Sequence, residues 1–300
     1  CLNGPATDGG GPVPRFRVLL PWRQDGHVQF RDRVVFIVGA SSGIGRAVAL
    51  RLAAEGAILA VGARRADRLD ALVGELEAAG VRALAVPFDA ADEAASETAV
   101  EAVIETFGRI DVVLLNAGGA PALDLRELSA REVKSWFASN VDVTVNVLMP
   151  VLARMRAAGG GLVVHTNSLA GFAGIPLQAP YSAAKAATRM LIDAARIEFA
   201  DDNVRFVTVY PGFVATDRTQ GDGMPAPREI SEDRAADEVV AAMRRERWDA
   251  AFPASTAVLV RLLRIVPKRV SAWYLRRELR AARALASEVV ESKVVDNSNH

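Results

Sequence analysis

From Arg33 onward the chain alternates short β-branched apolar runs with helical segments, and this alternation constrains its fold more than any other feature. Val34-Val35-Phe36-Ile37-Val38 runs straight into Gly39 and leaves no room for a helix, so it reads as a strand buried on both faces. Helical periodicity follows from Ile44 to about Glu55 and stops at Gly56. Further strands are predicted over 58–61, 81–86, 110–115, 162–166 and 204–209, with a short one near Ala250. Helices are predicted over 66–79, 93–107, 130–157, 181–200 and 235–247. Strands separated by helices must be joined by crossovers, which gives a parallel sheet covered on both faces. The expected class is therefore α/β, a single doubly wound domain of about seven parallel strands over residues 31–253.

What lies outside that pattern is read separately. Residues 1–30 are taken as a flexible lead, since 1–14 are rich in Gly and Pro and the apolar run at 18–20 is too short for a signal-peptide core. The chain opens on Cys1 rather than Met, and a processed or partial N-terminus is expected. Residues 212–230 read as a long loop beside a site, and 254–300 as a helical extension and tail. The formal net charge of +0 gives no global basic field for nucleic acid. No apolar run reaches the ~18 residues of a membrane helix; the longest candidate, 254–266, is interrupted by Arg261 and Arg264. One cysteine and three histidines argue against a Cys/His metal site, and no metal is expected. The lone cysteine fits a reducing compartment, and a cytoplasmic location is expected.

Two motifs carry chemistry. Gly39-Ala40-Ser41-Ser42-Gly43-Ile44-Gly45 lies between a strand and a helix, where glycines permit a tight turn and let a pyrophosphate approach the amides of the helix start. Its spacing is G-x-x-x-G-x-G rather than G-x-G-x-x-G, and a plain tight turn is the competing reading. Tyr181 and Lys185 stand four apart on one helix face. A tyrosine of ordinary pKa about 10 is a poor acid at neutral pH, and a nearby ammonium favours its phenolate, which makes Tyr181 a candidate general acid/base. Ser168, just past the fifth strand, is placed to hydrogen-bond a substrate oxygen. Its competing reading is a helix cap. His165 lies three residues earlier and is expected on the opposite sheet face, so it does not activate Ser168 as a nucleophile. Asn116-Ala117-Gly118 ends the fourth strand, where ligands bind in such sheets.

The order and spacing of Gly39-x-x-x-Gly43-Ile44-Gly45, Asn116-Ala117-Gly118, Asn140, Ser168, Tyr181-x-x-x-Lys185 and Pro211-Gly212 resemble the short-chain dehydrogenase/reductase family in its compact, Rossmann-like form. The resemblance implies that Tyr181 exchanges the proton of a carbonyl or alcohol oxygen and that Ser168 orients that oxygen. It implies that Lys185 holds the nicotinamide ribose and that Asn140 holds a water linking Lys185 to solvent. It places Asn116, Ala117 and Gly118 at the cofactor, Asp89 at the adenine, and Pro211, Gly212, Val214 and Thr216 near the carboxamide. It also implies a homodimer or homotetramer joined through the helices of Asn140 and Tyr181. Val38, Leu115, His165 and Asn167 stand where the family has other residues; the first two lack side-chain hydrogen bonds that tie strands together.

An NAD-preferring fold usually ends its second strand with an acid for the ribose 2′-hydroxyl. Here the sequence is Val61-Gly62-Ala63-Arg64-Arg65, with two guanidiniums suited to a 2′-phosphate, so NADP(H) is expected over NAD(H). The expected activity is carbonyl–alcohol interconversion on an apolar small molecule, because Leu169 to Leu177 carry no charge. Arg218 and Arg228 offer partners to a charged substrate. Over 261–283, eight Lys/Arg face one acid, Glu278, and are interleaved with apolar residues. Apolar residues at helical spacing read first as a face packed beside the substrate site; a basic amphipathic anchor on a membrane is the second reading. Two other functions stay open: a membrane-surface enzyme acting on a lipid-like substrate, and a non-catalytic NADP-binding regulatory protein.

Overall fold

The computed structural model describes residues 23–24, 27–119, 121–216 and 229–280. Seven parallel strands form the central sheet: β1 (Val34–Val38), β2 (Ile58–Ala63), β3 (Ala83–Pro87), β4 (Val112–Leu115), β5 (Gly161–Thr166), β6 (Val204–Pro211) and β7 (Asp249–Phe252). Their order is β7-β6-β5-β4-β1-β2-β3. The chain runs outward from β1 to β3 and then crosses to β4 on the other side of β1, which opens a crevice between the ends of β1 and β4. The central strands are buried on both faces, as their unbroken apolar runs require.

The layers are α1 (Gly43–Ala54), α2 (Ala66–Ala78) and α6 (Glu232–Arg244) on one face, and α3 (Glu93–Phe107), α4 (Ala130–Ala158) and α5 (Ala179–Glu198) on the other. Leu52, Leu72 and Met243 fill the first interface with the alternate strand residues Ile37, Leu114 and Val164. Phe36, Leu115, Val147 and Leu152 fill the second. The helix α4 begins with a full capping box, in which Ser129 Oγ accepts the Glu132 amide while the Glu132 carboxylate accepts the Ser129 amide. By length and composition, α4 is the one described helix able to cross a membrane, but it packs against α3, α5 and the sheet.

The predicted strands and helices form with shifts of a few residues at their ends. Beyond them, Val28 and Phe30, inside the stretch read as a lead, are buried in the core with β1. Within the stretch read as a long loop, Val214–Ala215 pairs in parallel with Ile230–Ser231, which ties the two ends of the excursion together. Beyond β7, helix α7 (Ala254–Ile265) is followed by a second helix, α8, over 268–280. The segments read as an N-terminal lead up to residue 22 and as a tail from 281 lie outside the described residues, as do Arg218 and Arg228.

Candidate active site

The glycine turn and the end of β4 are packed against each other. Gly39 has φ +89°, and a Cβ there would come 2.8 Å from the Ala117 amide nitrogen. A Cβ on Gly45 would collide with Gly39 O and stand 2.8 Å from Asn116 Nδ2. The protein's own packing therefore demands both glycines, and Asn116 fastens the contact by donating from Nδ2 to Gly39 O at 3.2 Å. Gly43, φ +62°, faces Thr216, whose Cγ2 would lie 3.4 Å from a Cβ at that position. This brings the segment after β6 over the turn, while Val214 is buried beside it and Gly212 donates its amide to Phe252 O at 2.8 Å.

Helix α1 starts here with Ser42 as its N-cap, no side-chain cap and no acid in its first turn. Such a helix start suits an anion. Arg65 lies over this start: Nε and Nη2 donate to Ser41 Oγ at 3.3 and 2.9 Å, and Nη2 donates to Ser42 Oγ at 2.8 Å. Arg64 is exposed just after β2, and no acid accompanies the two arginines there. Asp89, past the end of β3, is exposed and accepts the Ala91 amide at 3.0 Å. Uncapped amides, a guanidinium on two hydroxyls and a crevice between β1 and β4 fit a phosphate-bearing dinucleotide.

The second half of the site comes from α4, α5 and the end of β5. Lys185 is buried, and its ammonium donates to Thr166 O at 3.0 Å while lying 5.6 Å from the centre of the Tyr181 ring. Tyr181 is half-buried. Asn140 is fully buried; its Oδ1 accepts the Gly119 amide at 2.7 Å and its Nδ2 donates to Trp136 O at 2.9 Å and Gly119 O at 3.2 Å. A Cβ on Gly118 would lie 2.9 Å from Asn140 Oδ1 and 3.5 Å from Lys185 Nζ, so the crevice residues meet the Tyr181–Lys185 pair at Gly118. Ser168 caps a 3₁₀ turn over Leu169–Phe172, accepting the Ala170 amide at 3.2 Å, and its hydroxyl donates to Pro211 O at 3.5 Å.

The sequence of this region matches the short chain dehydrogenase family over residues 33–224. The chain belongs to the short-chain dehydrogenase family. An uncharacterized oxidoreductase of Listeria monocytogenes is 35% identical over 189 residues, 62% of this chain and 76% of that protein. Levodione reductase superposes with a TM-score of 0.71 at 28% identity, covering 76% of this chain and 99% of that one. An alcohol dehydrogenase from the archaeon Thermococcus sibiricus, solved in complex with 5-hydroxy-NADP, superposes at 0.67 with 31% identity, covering 74% and 95%. The protein is thus an oxidoreductase of this family, whose members bind a nicotinamide cofactor.

Where this chain departs from the family, the structure gives the reasons. Val38 and Leu115 are neighbours across β1 and β4 and almost fully buried, so apolar packing joins the strands where side-chain hydrogen bonds are missing. Asn167 carries a role that its sequence position did not disclose. Its Oδ1 accepts the Ser168 amide at 2.8 Å, and its Nδ2 donates to Lys185 O at 2.9 Å and Thr188 Oγ1 at 3.3 Å. One buried amide thereby clamps the Ser168 segment to the helix of Tyr181 and Lys185. The only signal for it was an amide residue directly after an apolar strand.

The face taken by His165 follows from the alternation along β5. Leu162 and Val164 face the α1 side of β5 and Val163 the α4/α5 side, so His165 lies under α4 and α5, the helices that carry Asn140 and Lys185. Neither of its ring nitrogens has a hydrogen-bond partner among the described residues, so it does not serve Ser168. Burial and then the Lys185 ammonium push its pKa well below the ordinary histidine value. The apolar stretch after Ser168 is also less open than its composition implied. Leu169 is buried with Tyr210, Ala257 and Val260, while Phe172 packs on the Tyr210 ring at 4.6 Å under the guanidiniums of Arg189 and Arg264.

Proposed function

We propose that the protein interconverts a carbonyl and an alcohol on an apolar small molecule with NADP(H) as cofactor. The observation that carries this reading is the meeting of crevice and Tyr–Lys pair at Gly118, where a Cβ would stand 3.5 Å from Lys185 Nζ. NADP(H), when bound, supplies or accepts the hydride. In the reducing direction the Tyr181 phenol gives its proton to the carbonyl oxygen and the Ser168 hydroxyl holds that oxygen by a hydrogen bond. In the oxidising direction the same phenolate takes the alcohol proton. Lys185, held on Thr166 O, sets a positive charge beside the Tyr181 ring that favours the phenolate. Asn140 keeps the loop after β4 at its place through Gly119. The preference for NADP(H) is supported by Arg65 on Ser41 and Ser42 with no acid at the end of β2, and by a relative solved with an NADP derivative. Gly39, Gly43, Gly45 and Ile44 would shape the pyrophosphate turn. Asp89, Ala117, Pro211, Gly212, Val214 and Thr216 would border the adenine and carboxamide ends. Exposed Met149 on α4 and Met190 and Ile197 on α5 fit contact with a second copy.

The test is turnover of NADPH with a panel of apolar ketones and aldehydes, with cofactor binding followed by fluorescence. Tyr181→Phe is expected to lower turnover by about 10²–10⁴-fold while NADPH affinity stays within a factor of two or so. Wild-type turnover in that variant removes Tyr181 from the acid/base role. Cofactor binding without turnover of any compound by the wild type favours the regulatory reading instead.

A further inference from the structure

From Arg261 to Arg280 no residue is buried, although the segment forms the end of α7 and all of the described α8. Helix α7 docks by Ala257 and Val260 onto Leu169 and Tyr210. That leaves Val258, Leu262 and Ile265, spaced i, i+4, i+7, as an apolar stripe in solvent, with Ile265 81% exposed. On α8, Leu275, Leu279 and Tyr274 are half-buried, whereas Val270 and Trp273 are exposed, Trp273 by 65%. Trp273 shares one open groove with Arg269, Arg276, Arg277 and Arg280. Over 261–280 there are seven Lys/Arg and a single acid, in a chain whose formal net charge is +0. The extension therefore concentrates positive charge around solvent-facing apolar side chains.

We infer that α7 and α8 form a docking surface for an anionic lipid bilayer. Exposed Leu, Ile and Trp side chains with flanking arginines match an interfacial helix, whose apolar groups enter the headgroup boundary while guanidiniums pair with lipid phosphates. A second copy of the chain is a poorer occupant, because a two-fold contact sets the same patch against itself and opposes like charges. A nucleic acid offers phosphates but nothing to bury Leu262 and Ile265. The surface adjoins the Ser168 segment, since α7 packs on the 3₁₀ turn of Leu169–Phe172. A docked enzyme would thus carry its candidate substrate entrance next to the lipid.

The experiment needs neither cofactor nor substrate, so it is separate from the oxidoreductase reading. The full chain is sedimented with vesicles of neutral phosphatidylcholine and with vesicles of phosphatidylcholine plus phosphatidylglycerol, at low and high salt. Partition into the anionic vesicles alone, weakened by salt, is expected. The double variant Arg276→Gln/Arg277→Gln is expected to lower that partition by about 30-fold, and Ile265→Ser by about ten-fold. These side chains are exposed, so the melting temperature should not move. Three results overturn the inference: no binding to anionic vesicles, binding unaffected by both variants, or loss of a solution oligomer in the variants without any lipid binding. Binding of the chain to duplex DNA in preference to anionic vesicles also overturns it.

Discussion

Gly45 and Arg65 act on the same turn in different ways. Gly45 is fixed by sterics: any Cβ strikes Gly39 O and Asn116 Nδ2, so a side chain there would push the end of β4 away from the end of β1. Arg65 is free of such packing and, among the described residues, is held by the two serine hydroxyls. Its contribution belongs to the ligand rather than to the fold. Arg65→Ala is therefore expected to leave the melting temperature unchanged and weaken NADPH binding by about 10–100-fold, the range of a charge-assisted hydrogen bond. NADH binding should change little. Titration of both cofactors against both proteins checks this; equal losses for NADPH and NADH would mean that Arg65 does not meet the 2′-phosphate. Residues of this kind were legible in the sequence because turn glycines and a strand-ending Arg-Arg pair have fixed neighbours along the chain. Asn167 was not legible, because its partners Lys185 and Thr188 lie on a helix that only tertiary packing brings beneath it.

At the scale of elements, the Ser168 segment depends on its seat against α5. A Cβ on Gly171 would come 2.5 Å from Asn167 Oδ1 and 3.1 Å from Lys185 O, so the 3₁₀ turn can cross the helix only through a glycine. The Asn167 side chain then locks the crossing with three hydrogen bonds. Asn167→Ala strands the Ser168 amide and unties the end of β5 from the Lys185 carbonyl, which keeps the Thr188 hydroxyl as a donor, at a cost of about 1–3 kcal/mol. The melting temperature should fall by several degrees, at about 2–4 °C per kcal/mol. Turnover should fall further than that loss of stability explains, with NADPH affinity retained, because Ser168 loses its fixed position relative to Tyr181. Unchanged turnover at a temperature where the variant is folded would leave the clamp a purely structural one. Strands and helices themselves were readable, since β-branched runs and helical periods are local signals. The Val214–Ala215 and Ile230–Ser231 pairing was not, because each partner is only two residues long. The periodicity of α7 and α8 marked amphipathic helices but could not say what covers their apolar residues; the structure leaves Leu262, Ile265 and Trp273 in solvent.

At the scale of the whole molecule, His165 ties folding to pH. It lies on β5, inside the sheet, with its ring nitrogens unpartnered among the described residues and the Lys185 ammonium acting on it. Burial comes first and the Lys185 charge second in holding its pKa well below the ordinary value. The unfolded chain takes up a proton at His165 near pH ~6.5, while the folded chain resists it. Between that pH and the lower folded pKa the unfolded state binds more protons, so stability is complete above the unfolded pKa and is lost as pH falls. One proton linked in this way gives a slope of up to about 1.4 kcal/mol per pH unit. Because β5 pairs with both β4 and β6, charging this imidazole should open the sheet as a unit rather than fray an edge. Denaturant unfolding from pH 8 to 5 is therefore expected to show the wild type weakening below pH ~6.5 and His165→Gln weakening less steeply over the same interval. Parallel stability curves for the two proteins would mean that the imidazole finds a proton acceptor inside the fold, a buried water being the simplest one, and that other groups carry the acid sensitivity.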